Sequence, residues 1–412
     1  MYLRPTTLAE FNYLQPQQVY REQDVQNTYA SMGRLRALKY TNINFSEVNL
    51  NDSTQLDANI LMTKGKNQSL SFEIEGTNSA GDLGAAASMT FQHKNLFKGS
   101  ETFTFKVRGA FEAITGLEDG YETDDYKEYG IESSLNFPSF MFPFLSSDFK
   151  KKIRATSEVG IKFNSQLRPE FTRTLASASW SYRWTDKTRS QHRFDLLDIN
   201  YIYVPWKSEL FKAYLENLTD RNSILIKSYE DQLIVRMGYT FNYNSANASQ
   251  TSSQRKSFYT LRFNMEESGN LLYGISKLIH RKPKGDKGYV IANIPFAQYL
   301  KTDFDFAENL KIDNRNSLVF HIGMGVVYPY GNSKAVPFEK RYFSGGPNSV
   351  RGWSVRSLGP GSYKGANGAV NYINHTGDIK LDLNVEYRTH LFWKFNGAAF
   401  IDAGNIWNIN EY

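Results

Sequence analysis

From residue 67 onward, apolar and polar residues alternate along one segment after another, and this period of two is the feature that most limits the fold. Leu70, Phe72 and Ile74 are separated by single polar residues, and the same pattern recurs in residues 103–111 and 381–387. Such alternation predicts strands with one apolar and one polar face. A sheet of this size in water needs a second layer over its apolar face, whereas in a bilayer that face contacts lipid.

The composition agrees with strands that cross a membrane. The 412 residues include 29 Phe and 26 Tyr, yet charged residues reach 22% and the mean hydropathy is −0.51. No segment approaches the roughly 18 consecutive apolar residues of a membrane helix, which excludes an α-helical membrane protein. In a β-barrel only alternate residues face lipid, and aromatic residues gather at both interfaces. The sequence therefore predicts an all-β transmembrane β-barrel.

Several chemistries are excluded or unsupported. The chain has no cysteine, so a disulfide, a thiolate nucleophile and a cysteine metal site are impossible. Its six histidines are scattered without ligand spacing, and no G-x-S-x-G motif occurs. We therefore expect no catalytic site, metal or cofactor. The net charge of +6 comes without a Lys/Arg tract, so we expect no nucleic-acid partner.

The alternation predicts about thirteen strands, with connections that alternate in length. The strands lie near 68–78, 82–94, 101–114, 126–137, 152–164, 171–185, 190–204, 232–244, 255–268, 286–306, 315–329, 380–391 and 395–407. Short turns near 95–100, 186–190 and 392–394 alternate with longer loops near 115–125, 205–231, 269–285 and 330–379. Short turns at one rim and long loops at the other are typical of membrane barrels.

Residues 1–66 differ from the rest and are predicted to form a separate small α/β module before the barrel of residues 67–412. A helical apolar period covers residues 20–39, and two strand-like runs follow at 40–48 and 55–63. No hydrophobic signal region follows Met1, so we expect an exported protein of this kind to begin inside a longer precursor.

Three motifs carry a family resemblance. Residues 341–353 read Arg-Tyr-Phe-Ser-Gly-Gly-Pro-Asn-Ser-Val-Arg-Gly-Trp, and residues 400–407 read Phe-Ile-Asp-Ala-Gly-Asn-Ile-Trp. The third motif is Asn-Leu-Phe-Lys-Gly at 95–99. Together they resemble the BamA/TamA superfamily of outer-membrane assembly factors. The first motif matches the family's F-x-G-G-x-x-S-[VI]-R-G-[FY] loop at Phe343, Gly345, Gly346, Ser349, Val350, Arg351 and Gly352, with Trp353 replacing the usual Phe or Tyr.

The resemblance implies a barrel of the sixteen-stranded type, with about thirteen strands here and three after Trp407. It implies that residues 1–66 are the last periplasmic POTRA repeat without its first strand. It also implies that the long loop, 330–379, folds into the barrel lumen and places Arg351 against Glu386 and Asp402. Strand parity independently puts both acids on polar faces of neighbouring strands, where an arginine can bind carboxylates through its planar fork of donors.

As a function, the resemblance implies assembly, insertion or translocation of other proteins through a lateral seam of the barrel. The expected location is the outer membrane of a Gram-negative cell, with the N-terminal module in the periplasm. The expected partners are the lipid bilayer, unfolded client proteins, and periplasmic or inner-membrane accessory proteins. A two-partner secretion transporter and a passive porin remain alternatives. The sequence does not separate a BamA-like role from a TamA-like one.

Overall fold

The structure is a computed structural model, and it consists of many strands with a few short helices. It describes residues 2–50, 53–79, 82–114, 125–186, 189–216, 229–246, 257–285, 288–363 and 375–409. Among these residues, no helix has both the length and the apolar character needed to cross a membrane.

The helices are α1 (Pro5–Phe11), α2 (Glu22–Met32), α3 (Ser147–Ile153), α4 (Glu209–Glu216) and α5 (Asn270–Leu278). The strands are β1 (Leu38–Leu50), β2 (Ser53–Lys64), β3 (Gln68–Ser79), β4 (Asp82–His93), β5 (Thr102–Ala113), β6 (Asp125–Phe137), β7 (Thr156–Leu167), β8 (Phe171–Asp186), β9 (Ser190–Lys207), β10 (Gln232–Asn244), β11 (Phe258–Ser268), β12 (Val290–Ile291), β13 (Ile294–Pro295), β14 (Tyr299–Lys311), β15 (Asn316–Pro329), β16 (Ile379–Phe392) and β17 (Phe395–Trp407). A 3₁₀ turn covers Phe338–Lys340.

The first 66 residues contain two helices and one antiparallel hairpin, β1–β2. The helix predicted at 20–39 is shorter than expected, because α2 ends where Gly33 donates its backbone N–H to the carbonyl of Tyr29. The chain then turns and enters β1. One cluster of buried apolar residues in this region consists of Leu3, Phe11, Met32, Leu35 and Ala37.

The large sheet is antiparallel and follows chain order. Thirteen strands pair as β3-β4-β5-β6-β7-β8-β9-β10-β11-β14-β15-β16-β17, which agrees with the predicted number. β3 and β17 are the two ends of this order. The chain divides into two compact units, one holding residues 1–117, 123–167 and 178–184 and the other holding 118–122, 168–177 and 185–412. The closed sixteen-stranded barrel and the POTRA assignment remain predictions.

The two faces of the sheet differ as the alternation requires. Ile74 in β3 is 87% exposed and Ile161 in β7 is 62% exposed, so one face presents large apolar side chains. On the other face, Lys162 in β7 pairs with Glu132 in β6, with 2.6 Å between Nζ and Oε1. A face of exposed apolar side chains needs an apolar environment to cover it.

One predicted strand is wrong. The run at 286–306 was expected to form one strand, but the long strand is Tyr299–Lys311 and a small β12–β13 hairpin precedes it. Ala292 and Asn293 have φ of 49° and 67°, which makes a tight turn inside the apolar run. Phe296, 1% exposed, then packs as a core residue instead of joining β14.

Candidate functional site

The described part of the loop between β15 and β16, residues 330–363 and 375–378, lies against the polar face of the strands around it. The strand register explains which side chains it contacts there. In the β16–β17 pair, Asn384 lies opposite Asp402 and Glu386 lies opposite Phe400. Because side chains at alternate positions share a face, Glu386 and Asp402 project from the same side of the two strands. The structure places the two acids on one face of β16 and β17.

Arg351 contacts both acids. Its Nε and Nη2 donate to the two carboxylate oxygens of Asp402 at 2.7 Å each, and its backbone N–H donates to the same carboxylate at 3.0 Å. Its Nη1 donates to Glu386. The guanidinium also lies over the ring of Phe400, 3.6 Å from the centroid. The forked contact with Asp402 fixes both position and orientation, which one ammonium group would not do.

The acids raise the pKa of Arg351 above its ordinary value, chiefly because the carboxylate of Asp402 accepts its hydrogen bonds. The Arg351 side chain is 23% exposed and that of Asp402 only 4%. An ion pair with one nearly buried partner is costly to break, because the remaining charge loses its compensation.

Ser349 makes a second polar attachment nearby. Its hydroxyl donates to Oδ1 of Asp382 at 2.9 Å, while Lys380 lies 2.8 Å from the other oxygen of that carboxylate. Asn384 donates both to the carbonyl of Ser349 and to Asp402, at 2.8 Å each. Ser349 and Arg351, two residues apart in the motif, thus bind acids on β16 and β17.

The two adjacent glycines of the motif are required by the backbone. Gly345 and Gly346 have φ of 98° and 95°, which side chains other than hydrogen rarely allow. A Cβ on Gly345 would lie 2.2 Å from the carbonyl oxygen of Ser354. Gly352 differs, since a Cβ there would meet nothing within 4 Å.

The remaining motif residues divide into one buried and two exposed side chains. Val350 is 2% exposed and lies over β17 at Gly404, where an added Cβ would come within 2.9 Å of its Cγ2. Phe343 and Trp353 are 38% and 49% exposed. The aromatic position of the motif therefore does not anchor the loop through burial, whereas Val350 does.

Sequence reasoning missed a second set of attachments just before Phe343, the first residue that matches the family's loop pattern. Three consecutive loop residues each lie beside an oppositely charged side chain. The three partners belong to β8, to β11 and to the residue that precedes β16. Glu339 pairs with Arg173 of β8, Lys340 lies 2.7 Å from Glu266 of β11, and Arg341 lies 3.6 Å from Asp378. The only signal in the sequence is the run of three charges inside a loop, and no spacing rule gives the partners.

Tyr342 adds an aromatic contact to this set. Its hydroxyl donates to Asp303 at 2.6 Å, and its ring occupies the space beside Gly325, where a Cβ would come within 2.5 Å. Burial raises the pKa of Tyr342 well above its ordinary value, so the hydroxyl keeps its proton and remains a donor. Gly325 and Gly404 therefore give the loop two places where it can approach the sheet closely.

Arg236 in β10 is a second arginine held by acids. Its side chain is only 19% exposed and contacts Asp198 and Glu266. Tyr299 donates to the same Glu266 at 2.5 Å. Glu266 also forms an ion pair with Lys340. The buried side chain of Glu266 therefore connects Arg236 in the sheet to Lys340 in the loop.

A large antiparallel sheet, with a loop bound to its polar face through Arg351, defines the structural class of this protein. The Omp85 superfamily domain matches residues 63–412, so the chain belongs to the Omp85 superfamily. The sequence-based resemblance is thereby confirmed at the level of the superfamily.

Relatives agree with this membership. The outer membrane protein assembly factor BamA of Neisseria meningitidis serogroup B is 30% identical over 98 residues, which is 22% of this chain and 11% of that protein. The structure of BamA from Haemophilus ducreyi lacking POTRA domains 1–3 aligns with a TM-score of 0.63 and 14% identity, over 98% of this chain and 70% of that one. CdiB from Acinetobacter baumannii aligns with a TM-score of 0.50 and 9% identity, over 100% of this chain and 62% of that one. At these identities the structures show the fold alone.

Proposed function

We propose that the protein assembles or translocates other proteins at the outer membrane, and that the docked loop is part of this machinery. The observation that supports the proposal is the attachment of Arg351 to Asp402 and Glu386 in a member of the Omp85 superfamily. In this proposal the strands span the outer membrane and residues 1–66 lie in the periplasm, as a POTRA-like module that receives unfolded clients and accessory proteins.

The proposed route for a client is the seam of the barrel beside β3. β3 is one end of the strand order, and among the described residues it pairs only with β4. A strand that enters hydrocarbon with free N–H and C=O groups loses several kcal/mol for each unpaired group. An available strand edge offers those groups partners during insertion, as in strand addition.

A cross-linking experiment tests this route. A photoreactive phenylalanine analogue replaces Phe72 in β3, which is 68% exposed, in the full-length protein during active assembly of a radiolabelled outer-membrane client. The matched control carries the analogue at Ile161 in β7, which is 62% exposed on an interior strand of the order. We expect client adducts at position 72 and almost none at position 161.

Three results count against the proposal. Equal adducts at both positions would mean that clients contact the apolar face without preference for the seam. Proteoliposomes that pass small solutes but assemble no client would favour the porin, and secretion of one dedicated partner would favour the two-partner transporter.

A further inference from the structure

The β6–β7 connection, residues 138–155, contains a row of aromatic side chains followed by a row of cations. Phe140 and Phe142 pack on Tyr182, with ring centroids 4.8 and 6.1 Å apart, and Tyr182 is 2% exposed. Phe144 continues the row at 6.0 Å from Phe142 and is itself 88% exposed. Rings that are fixed at one end and exposed at the other form an apolar projection from the protein surface.

The cations follow on α3 and face the N-terminal helices. Lys150, Lys151 and Arg154 line a hollow together with Arg34, which donates from Nη2 to the carbonyl of Pro138 at 2.9 Å. Glu10 is the one acid among its lining residues. The hollow is small and partly open to solvent, so its cations are accessible to a phosphate at the surface rather than to an enclosed ligand.

These cations are held in place without being neutralised. Arg154 donates to the amide oxygen of Asn27 at 2.7 Å and lies over the ring of Tyr13 at 5.0 Å. Lys151 also lies near that ring, at 5.8 Å. Within the part of the chain that the structure describes, no carboxylate comes within 4 Å of the charged nitrogens of Arg34, Lys150, Lys151 or Arg154. Four positive charges thus face one acid, an arrangement that attracts an anion.

We infer that this connection binds the phosphate of an anionic phospholipid from the adjoining leaflet, with the aromatic row inserted among its acyl chains. The inference rests on the proposed membrane location. The exposed apolar faces of β6 and β7, including Ile131 and Ile161, lead into the same connection, so the aromatic row continues a surface already suited to lipid. Basic residues beside an apolar anchor are the combination that binds anionic membrane surfaces.

The test measures lipid retained by the full-length protein in mild detergent, by native mass spectrometry, with equal amounts of phosphatidylglycerol and phosphatidylethanolamine added. We expect one phosphatidylglycerol per protein to be retained preferentially. The variant Lys150→Gln, Lys151→Gln, Arg154→Gln should bind it about 100-fold more weakly, since each cation near a membrane surface contributes roughly fivefold. Phe142→Ser with Phe144→Ser should also weaken retention.

Three controls keep the result interpretable. Lys150→Arg, Lys151→Arg, Arg154→Lys preserves the charges and should keep the lipid. Arg281→Gln, Lys282→Gln, Lys284→Gln removes the same charge from a different loop and should also keep it. Arg351→Ala removes the attachment of the docked loop on which the proposed function rests. It should leave lipid retention unchanged, so that failure of one proposal is distinguishable from failure of the other.

Equal retention of the two lipids would overturn the inference. So would retention by the glutamine variant at the level of the wild type. Displacement of the lipid by an equal concentration of soluble glycerol 1-phosphate would also overturn it, because the hollow would then bind a free anion and the aromatic row would contribute nothing.

Discussion

At the scale of single residues, Arg351 is the contact on which the docked loop most depends. Removing it leaves Asp402, 4% exposed, without its forked partner, and we expect loop docking to weaken by about 3 kcal/mol. Because the chain has no cysteine, Val350→Cys supplies a buried reporter whose maleimide labelling requires the loop to leave the sheet. In that background Arg351→Ala should speed labelling by about 100-fold.

Two companion variants sharpen this measurement. Arg351→Lys keeps the charge but loses the planar fork, so its labelling rate should lie between those of wild type and Arg351→Ala. Arg356 stacks on Phe343 and Phe338, and its removal should cost only about 0.5–1 kcal/mol. Equal acceleration by Arg356→Ala and Arg351→Ala would show that loop packing in general, and not the ion pair, holds the loop.

The motif glycines separate backbone from packing effects. Gly345→Ala forces a side chain onto a φ of 98° and into the carbonyl of Ser354, at a cost of about 1–3 kcal/mol or more. Gly352→Ala meets nothing and should be tolerated. Limited proteolysis of the folded protein should therefore cut the loop faster in Gly345→Ala only. If Gly352→Ala is cut equally fast, Gly352 serves a purpose other than local packing.

At the scale of elements, the loop depends on partners that are far apart in sequence. Lys340 and Glu266 have side chains 20% and 6% exposed, and Glu266 keeps Arg236 and Tyr299 when Lys340 is removed. Lys340→Gln should therefore weaken docking by about 2 kcal/mol, the scale of a charged hydrogen bond. The same Val350→Cys labelling assay measures it.

The control for this prediction is the exposed pair of Lys212 and Glu209 in α4, whose side chains are 48% and 90% exposed. Lys212→Gln should change labelling by less than a factor of about three, because surface pairs contribute little. A higher salt concentration should reduce the change in labelling rate caused by Lys212→Gln more than the change caused by Lys340→Gln. If Lys212→Gln speeds labelling more than Lys340→Gln does, the loop is not held to the sheet chiefly by its own ion pairs.

Elements also show which parts of the site the sequence can predict. Arg351, Glu386 and Asp402 were predicted because a motif named the arginine and strand parity oriented the acids. The attachments of Glu339, Lys340 and Arg341 follow no periodicity, since their partners depend on which strands lie beneath the loop. Parity gives the face of a residue but not its neighbours across the sheet, so it does not reveal that Arg236 contacts Asp198 and Glu266.

At the scale of the whole molecule, the strand number and order were predictable because a period of two persists over most of the chain. The error at 286–306 arose where the apolar run belongs to a packed connection, which periodicity does not distinguish from a strand. The same two-faced pattern predicts how the sheet tolerates new charges. Ile131→Lys places a charge on the apolar face of β6, where Ile131 is 47% exposed, and should cost about 2–4 kcal/mol at mid-membrane depth.

Ser134→Lys in the same strand places its charge on the polar face. It should therefore destabilise the membrane-embedded protein much less than Ile131→Lys does. Reconstitution of the full-length protein into vesicles, followed by the heat-dependent shift of the folded band in electrophoresis, compares the two variants. If both reconstitute equally well, the exposed apolar face of β6 does not contact hydrocarbon.

The loop's several attachments also determine how it can leave the sheet. While Arg351 is bound, a freed Lys340 stays tethered near Glu266 at an effective concentration in the millimolar range or above, so it rebinds before the next contact opens. Release by gradual peeling is therefore suppressed, and the loop should detach in a single cooperative event whose rate reflects the combined loss of its ion pairs.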